Sequence, residues 1–412
     1  MKQFVDFRSN QNLNEDVDNV VKNGLEQNTK FDLPFTDKHK TLPIIYWMPK
    51  LHKSPSGKRF IVASKACSTK PLSTAVAKVF SLIFKQTRNF HRKSTFYSRY
   101  NKFWVVDKTQ PVIDKLNRIN SRNKARDIST FDFTTLYTKI GHSDLINVLN
   151  KVIDTAFKGG RKKYISFFGK KASWVSKPRN AQHFTKTSLK SAVKFLIENC
   201  FFTLGNLLVR QKIGIPMGID PAPFWANLYL YWYEDRFISM LIHSDRRKAF
   251  LFNGNFRFID DLVIINGGNV FLESFRNIYP ENLELKLEHT GTRATFLDLE
   301  ITVQDGKFFF KLFDKRDNFP FHIVRMPYFD SNIPEFTFYG SVFSEFLRVA
   351  RCSMCVESFI NTAHRLFNRM TQQGGNANRI LALIDKLFDR FPSVVNQYRL
   401  TPNRLKERVK SG

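Results

Sequence analysis

Residues 256–265 read FRFIDDLVII, and this stretch decides how the chain folds. Apolar side chains flank two adjacent aspartates, Asp260 and Asp261, on both sides. The pattern is apolar, then acidic, then apolar, which predicts a β-hairpin with both acids at its tip. Burial of an unpaired carboxylate costs several kcal/mol, so a cation must compensate. Oxygen ligands of this kind suit Mg²⁺, which indicates a metal site.

A third acid lies far upstream in a similar setting. Asp132 is embedded in the strand-like segment 129–137, STFDFTTLY. If folding brings it beside Asp260 and Asp261, the three acids can bridge two Mg²⁺ ions about 3.5–4 Å apart. One ion would activate an attacking 3′-hydroxyl and the other would neutralise a leaving pyrophosphate. These carboxylates indicate phosphoryl transfer, but alone they leave polymerase, nuclease and cyclase open.

The charge of the chain points to a polyanionic partner. Its 412 residues hold 65 Lys and Arg against 36 Asp and Glu, a formal net charge of +29 with a pI near 10.0. This imbalance argues against an ordinary enzyme of small metabolites. Aromatic residues are interleaved with the basic ones, which favours nucleic acid over a membrane surface.

The sequence predicts an intracellular protein. No apolar run is long enough to span a membrane, and the polar start MKQFVDFRSNQN lacks a signal-peptide core. Four cysteines are too few to staple a chain of this length, so we expect a reducing compartment. The Cys352-x-x-Cys355 pair has no second pair to complete a zinc site.

The pattern along the chain predicts an α+β fold. Residues 1–40 are polar and are interpreted as a tail or a truncated upstream region, 41–330 as the main domain, and 331–412 as a helical basic region. Strands are expected on both sides of a turn at Ser54 to Lys58, and a hairpin is expected at Asn206. A further strong turn is predicted at Asp305-Gly306. Residues 158–186 are interpreted as a basic insertion of turn-like composition.

Six segments, taken in order, resemble reverse transcriptases, and among them the Penelope-like retroelement enzymes that are related to telomerase. The resemblance spans Leu42 to Arg369. The segments are MPKLHKSPSGKRFIVAS (48–64, fingers), FDFTTLYT (131–138, motif A), GIPMGIDPAPFWANLYL (214–230, motif B), RFIDD (257–261, motif C), TFLDLEI (295–301, primer grip) and FLRVARCS (346–353, thumb).

This resemblance implies a right-hand polymerase fold of fingers, palm and helical thumb, together with a role for each matching residue. Two Mg²⁺ or Mn²⁺ ions would be held by Asp132, Asp260, Asp261 and the backbone carbonyl of Phe133. The incoming nucleotide would contact Lys53, Arg59, Phe133, Tyr137, Met217 and Gly218. Primer and template would contact Lys50, Gly214, Pro216, Phe296, Leu297, Asp298, Arg348 and Arg351.

The implied activity is RNA-directed DNA synthesis in the nucleus. Partners would be an RNA template, a DNA primer, the RNA–DNA hybrid and dNTPs. Tyr137 falls where reverse transcriptases place a bulky aromatic ring that excludes a ribose 2′-hydroxyl, whereas RNA-dependent RNA polymerases usually have an aspartate there. That enzyme class and a non-catalytic nucleic-acid-binding retroelement remnant remain the alternatives. No GIY-YIG endonuclease motif follows, and Phe60 stands after Arg59 where the family often has proline.

Overall fold

The computed structural model of the protein describes residues 5–8, 13–50, 57–158, 163–169, 171–178, 181–319, 321 and 323–411. The chain divides into two units. The first holds residues 1–105, 131–262 and 269–286, and the second holds residues 106–130, 263–268 and 287–412. Helices and strands are mixed, at 53% and 19% of residues, so the predicted mixed helix-and-sheet composition is confirmed.

The strands form four sheets. In chain order they are β1 (Val5–Arg8), β2 (Ile44–Lys50), β3 (Gly57–Ala63), β4 (Ile128–Phe133), β5 (Tyr164–Phe168), β6 (Lys171–Val175), β7 (His183–Phe184), β8 (Phe201–Leu204), β9 (Leu207–Gln211), β10 (Asn255–Phe258), β11 (Asp261–Ile265), β12 (Leu285–Gly291), β13 (Arg293–Phe296), β14 (Leu299–Gln304) and β15 (Lys307–Leu312). Their orders are β1-β9-β8-β2-β3, β10-β11-β4-β12, β13-β14-β15 and β6-β5-β7.

The helices surround these sheets in sequence order. They are α1 (Leu13–Lys30), α2 (Lys70–Ser98), α3 (Gln110–Asn120), α4 (His142–Phe157), α5 (Lys186–Glu198), α6 (Ala222–Ser244), α7 (Arg246–Leu251), α8 (Gly268–Ile278), α9 (Glu335–Cys352), α10 (Val356–Gln372), α11 (Ala377–Arg390), α12 (Pro392–Val395) and α13 (Pro402–Ser411). None of the helices in the described ranges is long and apolar enough to cross a membrane.

The predicted hairpins of the first unit are present. β2 and β3 pair antiparallel, with Met48 opposite Arg59, on either side of the predicted turn; most of that turn lies outside the described residues. β8 and β9 pair antiparallel around Gly205-Asn206, as the sequence predicts. Alternating apolar residues on these strands form a small core with Ile45, Phe202 and Val209, which explains the register.

Residues 13–30, which the sequence analysis assigned to a polar tail, form α1. Its apolar side packs beside Leu42 and Leu208 through Val21. The fully buried Asn28 donates to the Ser68 carbonyl oxygen at 2.7 Å and accepts from the Leu72 N–H at 3.2 Å. These long-range hydrogen bonds satisfy the start of α2 and hold a polar helix that local sequence does not reveal.

The basic insertion also has regular structure. Residues 164–184 form the three-stranded antiparallel sheet β6-β5-β7. Ile165 and Phe167 alternate as buried residues along β5, and Phe184 stacks near Phe167 with ring centroids 5.0 Å apart. The alternation within YISFF accounts for the strand, whereas the many lysines around it favoured a turn-like interpretation.

Long helix α6 lies at the centre of the first unit. It is apolar around most of its circumference because α2 and α4 both pack against it. Trp225 is fully buried and meets Phe80 of α2 edge-to-face, with centroids 5.8 Å apart. Glu234 is a fully buried acid on this apolar helix, and its partners are described with the site.

The second unit joins a small sheet to a helical region. β13, β14 and β15 pair in sequence order, and Asp305-Gly306 forms the predicted turn between β14 and β15. Helices α9, α10, α11 and α13 pack on one another, which confirms the predicted helical pattern after residue 330. Cys352 is buried and Cys355 exposed, and both are free thiols.

Candidate active site

Two of the predicted carboxylates lie side by side at the ends of neighbouring strands. Asp132 is the next-to-last residue of β4, Asp260 lies in the turn between β10 and β11, and Asp261 begins β11. β4 and β11 are adjacent in the sheet. The Phe133 N–H donates to the Asp260 carbonyl oxygen at 3.0 Å. This hydrogen bond fixes the two strand ends together, as the sequence analysis expected.

The electrostatics of Asp260 show what the pair requires. Burial raises the pKa of the Asp260 carboxyl above its usual value, and the nearby Asp132 raises it further. A backbone hydrogen bond at Asp260 and the guanidinium groups of Arg257 and Arg59 lower it. Two carboxylates crowded in a partly buried place favour cations. Arg59, predicted from the fingers strand, therefore lies within electrostatic reach of the acids.

A buried ion pair stands behind the acidic turn, and sequence reasoning missed it. Arg257 of β10 and Glu234 of α6 are both 0% exposed, and the Arg257 Nε donates to Glu234 Oε1 at 2.6 Å. The Tyr279 hydroxyl donates to the same oxygen at 2.8 Å. Arg257 Nη1 also donates to the Asn227 side chain at 2.9 Å. An arginine between two phenylalanines and a single glutamate in an apolar helix were the available signals.

The same arginine holds the backbone just before the acids. Arg257 Nη1 donates to the Ile259 carbonyl oxygen at 2.9 Å. Ile259 has φ 56°, a left-handed conformation that is a genuine outlier for a β-branched residue. Such a conformation persists only where the surroundings determine it. The network of Arg257, Glu234, Tyr279 and Asn227, called here the arginine anchor, supplies that determination and so orients Asp260.

Tyr137 borders the acids from the turn after β4. Burial raises the pKa of the Tyr137 hydroxyl to about 12, with a further contribution from the negative charge of Asp260, while Arg257 lowers it. The ring is therefore neutral at physiological pH and lies within electrostatic reach of Asp260. This places the residue predicted to exclude a 2′-hydroxyl in the same neighbourhood as the carboxylates.

The glycine-rich loop 214–218 packs against the same turn. The Gly214 N–H donates to the Ile140 carbonyl oxygen at 2.7 Å. Gly214 has φ 92°, and a Cβ there would overlap the Tyr137 carbonyl oxygen and lie 3.1 Å from the Thr138 Cα. Only glycine satisfies both demands. Pro216 is buried in this loop.

Gln211 fixes the inside of the loop, and the sequence analysis did not single it out. This side chain is 1% exposed. Its amide nitrogen donates to the carbonyl oxygens of Ile213 and Ile215, each at 3.0 Å, and its oxygen accepts from the Met217 N–H at 3.0 Å. One buried amide therefore sets the path of the loop on both sides of Pro216.

The far end of the loop is tied to β3 and α2. Ser64 donates to the Gly218 carbonyl oxygen, and a Cβ on Gly218 would lie 2.8 Å from Val62 Cγ1. Asp220 accepts from Lys70 and from Thr74, each at 2.5 Å. Met217 and Gly218 remain partly exposed between these ties. The loop is thus held at both ends while its middle residues stay accessible.

Other predicted cations of the fingers are not described in full. Lys53 lies in residues 51–56, outside the described residues, and the side chain of Lys50 at the end of β2 is also outside the described part. Their roles stay predictions. Arg59 is exposed on β3.

The remaining predicted residues belong to the second unit. Phe296 ends β13, and Leu297 and Asp298 form the turn to β14, where Leu297 has φ 53°. Arg348 donates to Asp298 at 2.8 Å and to Glu345 at 2.7 Å. The Arg351 guanidinium lies over the Phe391 ring, 5.4 Å from its centroid. Contact of these side chains with primer or template stays a prediction, and Arg348 already has carboxylate partners.

The donor set fits a magnesium ion that is completed by a substrate. Within the described ranges, no group of three or more His, Cys, Asp or Glu side chains could hold a metal ion. The residues brought together are the pair Asp132 and Asp260. Mg²⁺ is commonly held by one or two carboxylates plus substrate phosphates and waters, and the raised pKa of Asp260 marks a place where a cation is favourable.

Comparisons with known proteins bear on the fold. No protein-family model matches the sequence, and no curated protein does either. Telomerase from Candida albicans, solved with a TWJ fragment of telomeric RNA, superposes with a TM-score of 0.57 at 11% identity, over 90% of this chain and 63% of that chain. Apo telomerase from Candida tropicalis gives a TM-score of 0.47 at 14% identity, over 99% and 69%.

The first comparison shows that the chain has a fold like that of a telomerase polypeptide. The chain covers less than two thirds of that polypeptide's length. The predicted relation to a telomerase-type fold is therefore supported at the level of architecture.

The arginine anchor yields a stability prediction. Arg257→Leu leaves the Glu234 carboxylate buried without its cation, so we expect the first unit to lose roughly 3–5 kcal/mol of unfolding free energy. All five tryptophans lie in the first unit, so the urea midpoint from tryptophan fluorescence reports on it.

Lys194→Met is the matched control, because Lys194 forms an exposed ion pair with Glu198 in the same unit. We expect this control to cost less than about 1 kcal/mol. If Arg257→Leu costs no more than Lys194→Met, the anchor does not stabilise the site.

Proposed function

We propose that the chain is an RNA-directed DNA polymerase, a reverse transcriptase that adds deoxynucleotides to a primer 3′ end, and that it derives from a Penelope-like retroelement. The observation that carries the proposal is the placement of Asp132 beside Asp260. Tyr137 and Arg59 act electrostatically on, or are acted on by, the same carboxylate. The telomerase-like fold is consistent with this assignment.

In this proposal Asp132 and Asp260 hold the two Mg²⁺ or Mn²⁺ ions, with Asp261 and the Phe133 carbonyl as further ligands. Bound divalent ions would lower the pKa of the primer 3′-hydroxyl and neutralise charge on the leaving pyrophosphate. The chain's own part is to keep both carboxylates ionised and aligned. Arg257 contributes to both, since it lowers the pKa of Asp260 and holds the Ile259 carbonyl.

The residues around the acids would position the substrates. Arg59 can bind phosphate oxygens in a two-pronged manner. Tyr137 can form an uncharged wall against a ribose 2′-hydroxyl. Met217 and Gly218 lie in a loop whose exposed backbone permits close approach to a nascent base pair. Lys50, Lys53, Arg348 and Arg351 are proposed contacts with phosphates of the primer and template.

The paired acids argue against a purely binding function. A protein that only holds nucleic acid gains nothing from carboxylates among its cations, because they repel phosphate. The net charge of +29 supplies the attraction for an RNA template, a DNA primer and their hybrid. Tyr137 favours dNTPs over ribonucleotides. A nuclear location goes with this proposed reaction.

The central test is primer extension. With Mg²⁺ or Mn²⁺ and dNTPs, the purified protein should extend a DNA primer on an RNA template. Asp260→Asn should reduce extension at least about 10³-fold, because it removes a charged metal ligand that acts together with Asp132. Primer–template affinity, measured by fluorescence anisotropy, should be retained.

Asp154→Asn is the matched control, since Asp154 is an exposed aspartate of the first unit that pairs with Lys190. This variant should extend primers like the wild type. Extension that survives Asp260→Asn would refute the assignment of the acids.

Tyr137 gives a second test, of sugar selection. Tyr137→Ala should raise the ratio of kcat/KM for ribonucleotides to that for deoxynucleotides by at least about tenfold, because the steric wall is lost. Tyr137→Phe keeps the ring and should leave the ratio unchanged. A ratio that stays low in the alanine variant, or that rises equally in the phenylalanine variant, contradicts the steric role.

A further inference from the structure

The second half of α2 carries exposed aromatic rings that the proposed reaction does not use. Phe90, Phe96 and Tyr97 are 67%, 81% and 82% exposed. Exposed single aromatics are ordinary, but three within eight residues of one helix form a patch. Phe96 and Tyr97 meet edge-to-face, with ring centroids 5.3 Å apart.

Cations lie between these rings. Phe90, Lys93 and Tyr97 recur at three- and four-residue steps, so they share one stripe of the helix. Arg92 and Phe96 are four residues apart and form the neighbouring stripe. Arg92 and Lys93 are exposed. We call these five residues the aromatic-basic face.

No acid balances this charge in the local sequence. From Asp37 to Asp107 the chain has no Asp or Glu between them, whereas Lys and Arg recur throughout. A protein surface tuned only for solubility normally intersperses both signs. The uniform sign points to a polyanionic occupant.

The opposite side of the helix holds the face in place. His91 is buried, its Nε2 lies 2.6 Å from the Tyr231 hydroxyl, and its ring stacks on Phe103 with centroids 6.0 Å apart. At the end of the helix, the Arg99 N–H donates to the Thr95 carbonyl oxygen at 2.9 Å. The exposed rings therefore project from an anchored helix and not from a fraying terminus.

We propose that the aromatic-basic face binds single-stranded nucleic acid. Bases of a single strand can stack on exposed rings, while Arg92 and Lys93 meet its phosphates. A duplex keeps its bases stacked on one another, so it would use the cations alone. Lysine is depleted in the cores of protein–protein interfaces, which argues against a protein partner for a face centred on Lys93.

The face shares no residue with the candidate active site. The proposal deepens the proposed function, on which it rests for its context, because a polymerase that copies RNA must hold an unpaired strand. Its test is binding in EDTA, where no metal-dependent synthesis occurs. Failure of one proposal can therefore be told from failure of the other.

The experiment compares the full chain with the triple variant Phe90→Ala/Phe96→Ala/Tyr97→Ala. Fluorescence anisotropy measures the Kd for a uridine homopolymer, for a thymidine homopolymer and for a blunt RNA–DNA duplex. Stacking is worth about 1–3 kcal/mol per base, so the triple variant should bind single strands at least about tenfold more weakly. The duplex should be affected far less, and the two homopolymers show whether RNA or DNA is preferred.

Two further variants separate stacking from charge. Phe336→Ala, at a residue that is 79% exposed next to Glu335, should leave every Kd unchanged. Arg92→Gln/Lys93→Gln should reduce the slope of log Kd against log salt by about 0.7 per charge on single strands. Asp260→Asn should keep wild-type affinity for the homopolymers, whatever its effect on synthesis.

Several outcomes would overturn the proposal. An unchanged Kd in the triple variant removes the rings from binding, and an equal loss on single strands and duplex shows that they do not stack on bases. A wild-type dimer that the triple variant dissociates assigns the face to a second copy of the chain. Binding to anionic phosphatidylserine vesicles that the triple variant loses, with RNA affinity retained, assigns it to a lipid surface.

Discussion

The buried ion pair of Arg257 and Glu234 is the interaction on which the candidate site depends. Both side chains are wholly buried, so each would be destabilising without the other. The pair also receives hydrogen bonds with Tyr279 and Asn227, which satisfy its remaining polar atoms. What the network gains is geometry, because Arg257 holds the carbonyl of Ile259 in a conformation that an isoleucine rarely adopts. The acidic turn is thus shaped from behind.

The loop beside this turn is built by the same means. Gln211 is a buried polar side chain whose three hydrogen bonds go to backbone atoms of the loop. Gly214 lets that loop approach Tyr137 more closely than any residue with a Cβ could. Buried polar groups that are fully satisfied specify one arrangement, whereas apolar packing alone tolerates several. The carboxylates, the tyrosine and the loop therefore form one preorganised surface.

Much of this arrangement could be predicted from local sequence. Apolar flanks identified Asp132 and Asp260, and the alternation and turn chemistry around Asn206 and Asp305-Gly306 identified hairpins. The anchor could not be predicted, because its members come from distant segments whose pairing exists only after folding. For the same reason α1 was missed, since Asn28 is fixed by Ser68 and Leu72. In the insertion, frequent lysines outweighed the alternation that forms β5.

Manganese binding tests the central claim, that Asp132 and Asp260 together form a cation site, most directly. Electron paramagnetic resonance can follow free Mn²⁺ during titration of the full chain with a dNTP present. The account predicts that Asp132→Asn and Asp260→Asn each weaken Mn²⁺ binding at least about tenfold, and that Asp261→Asn weakens it less. Wild-type affinity in both Asp132→Asn and Asp260→Asn would contradict the account.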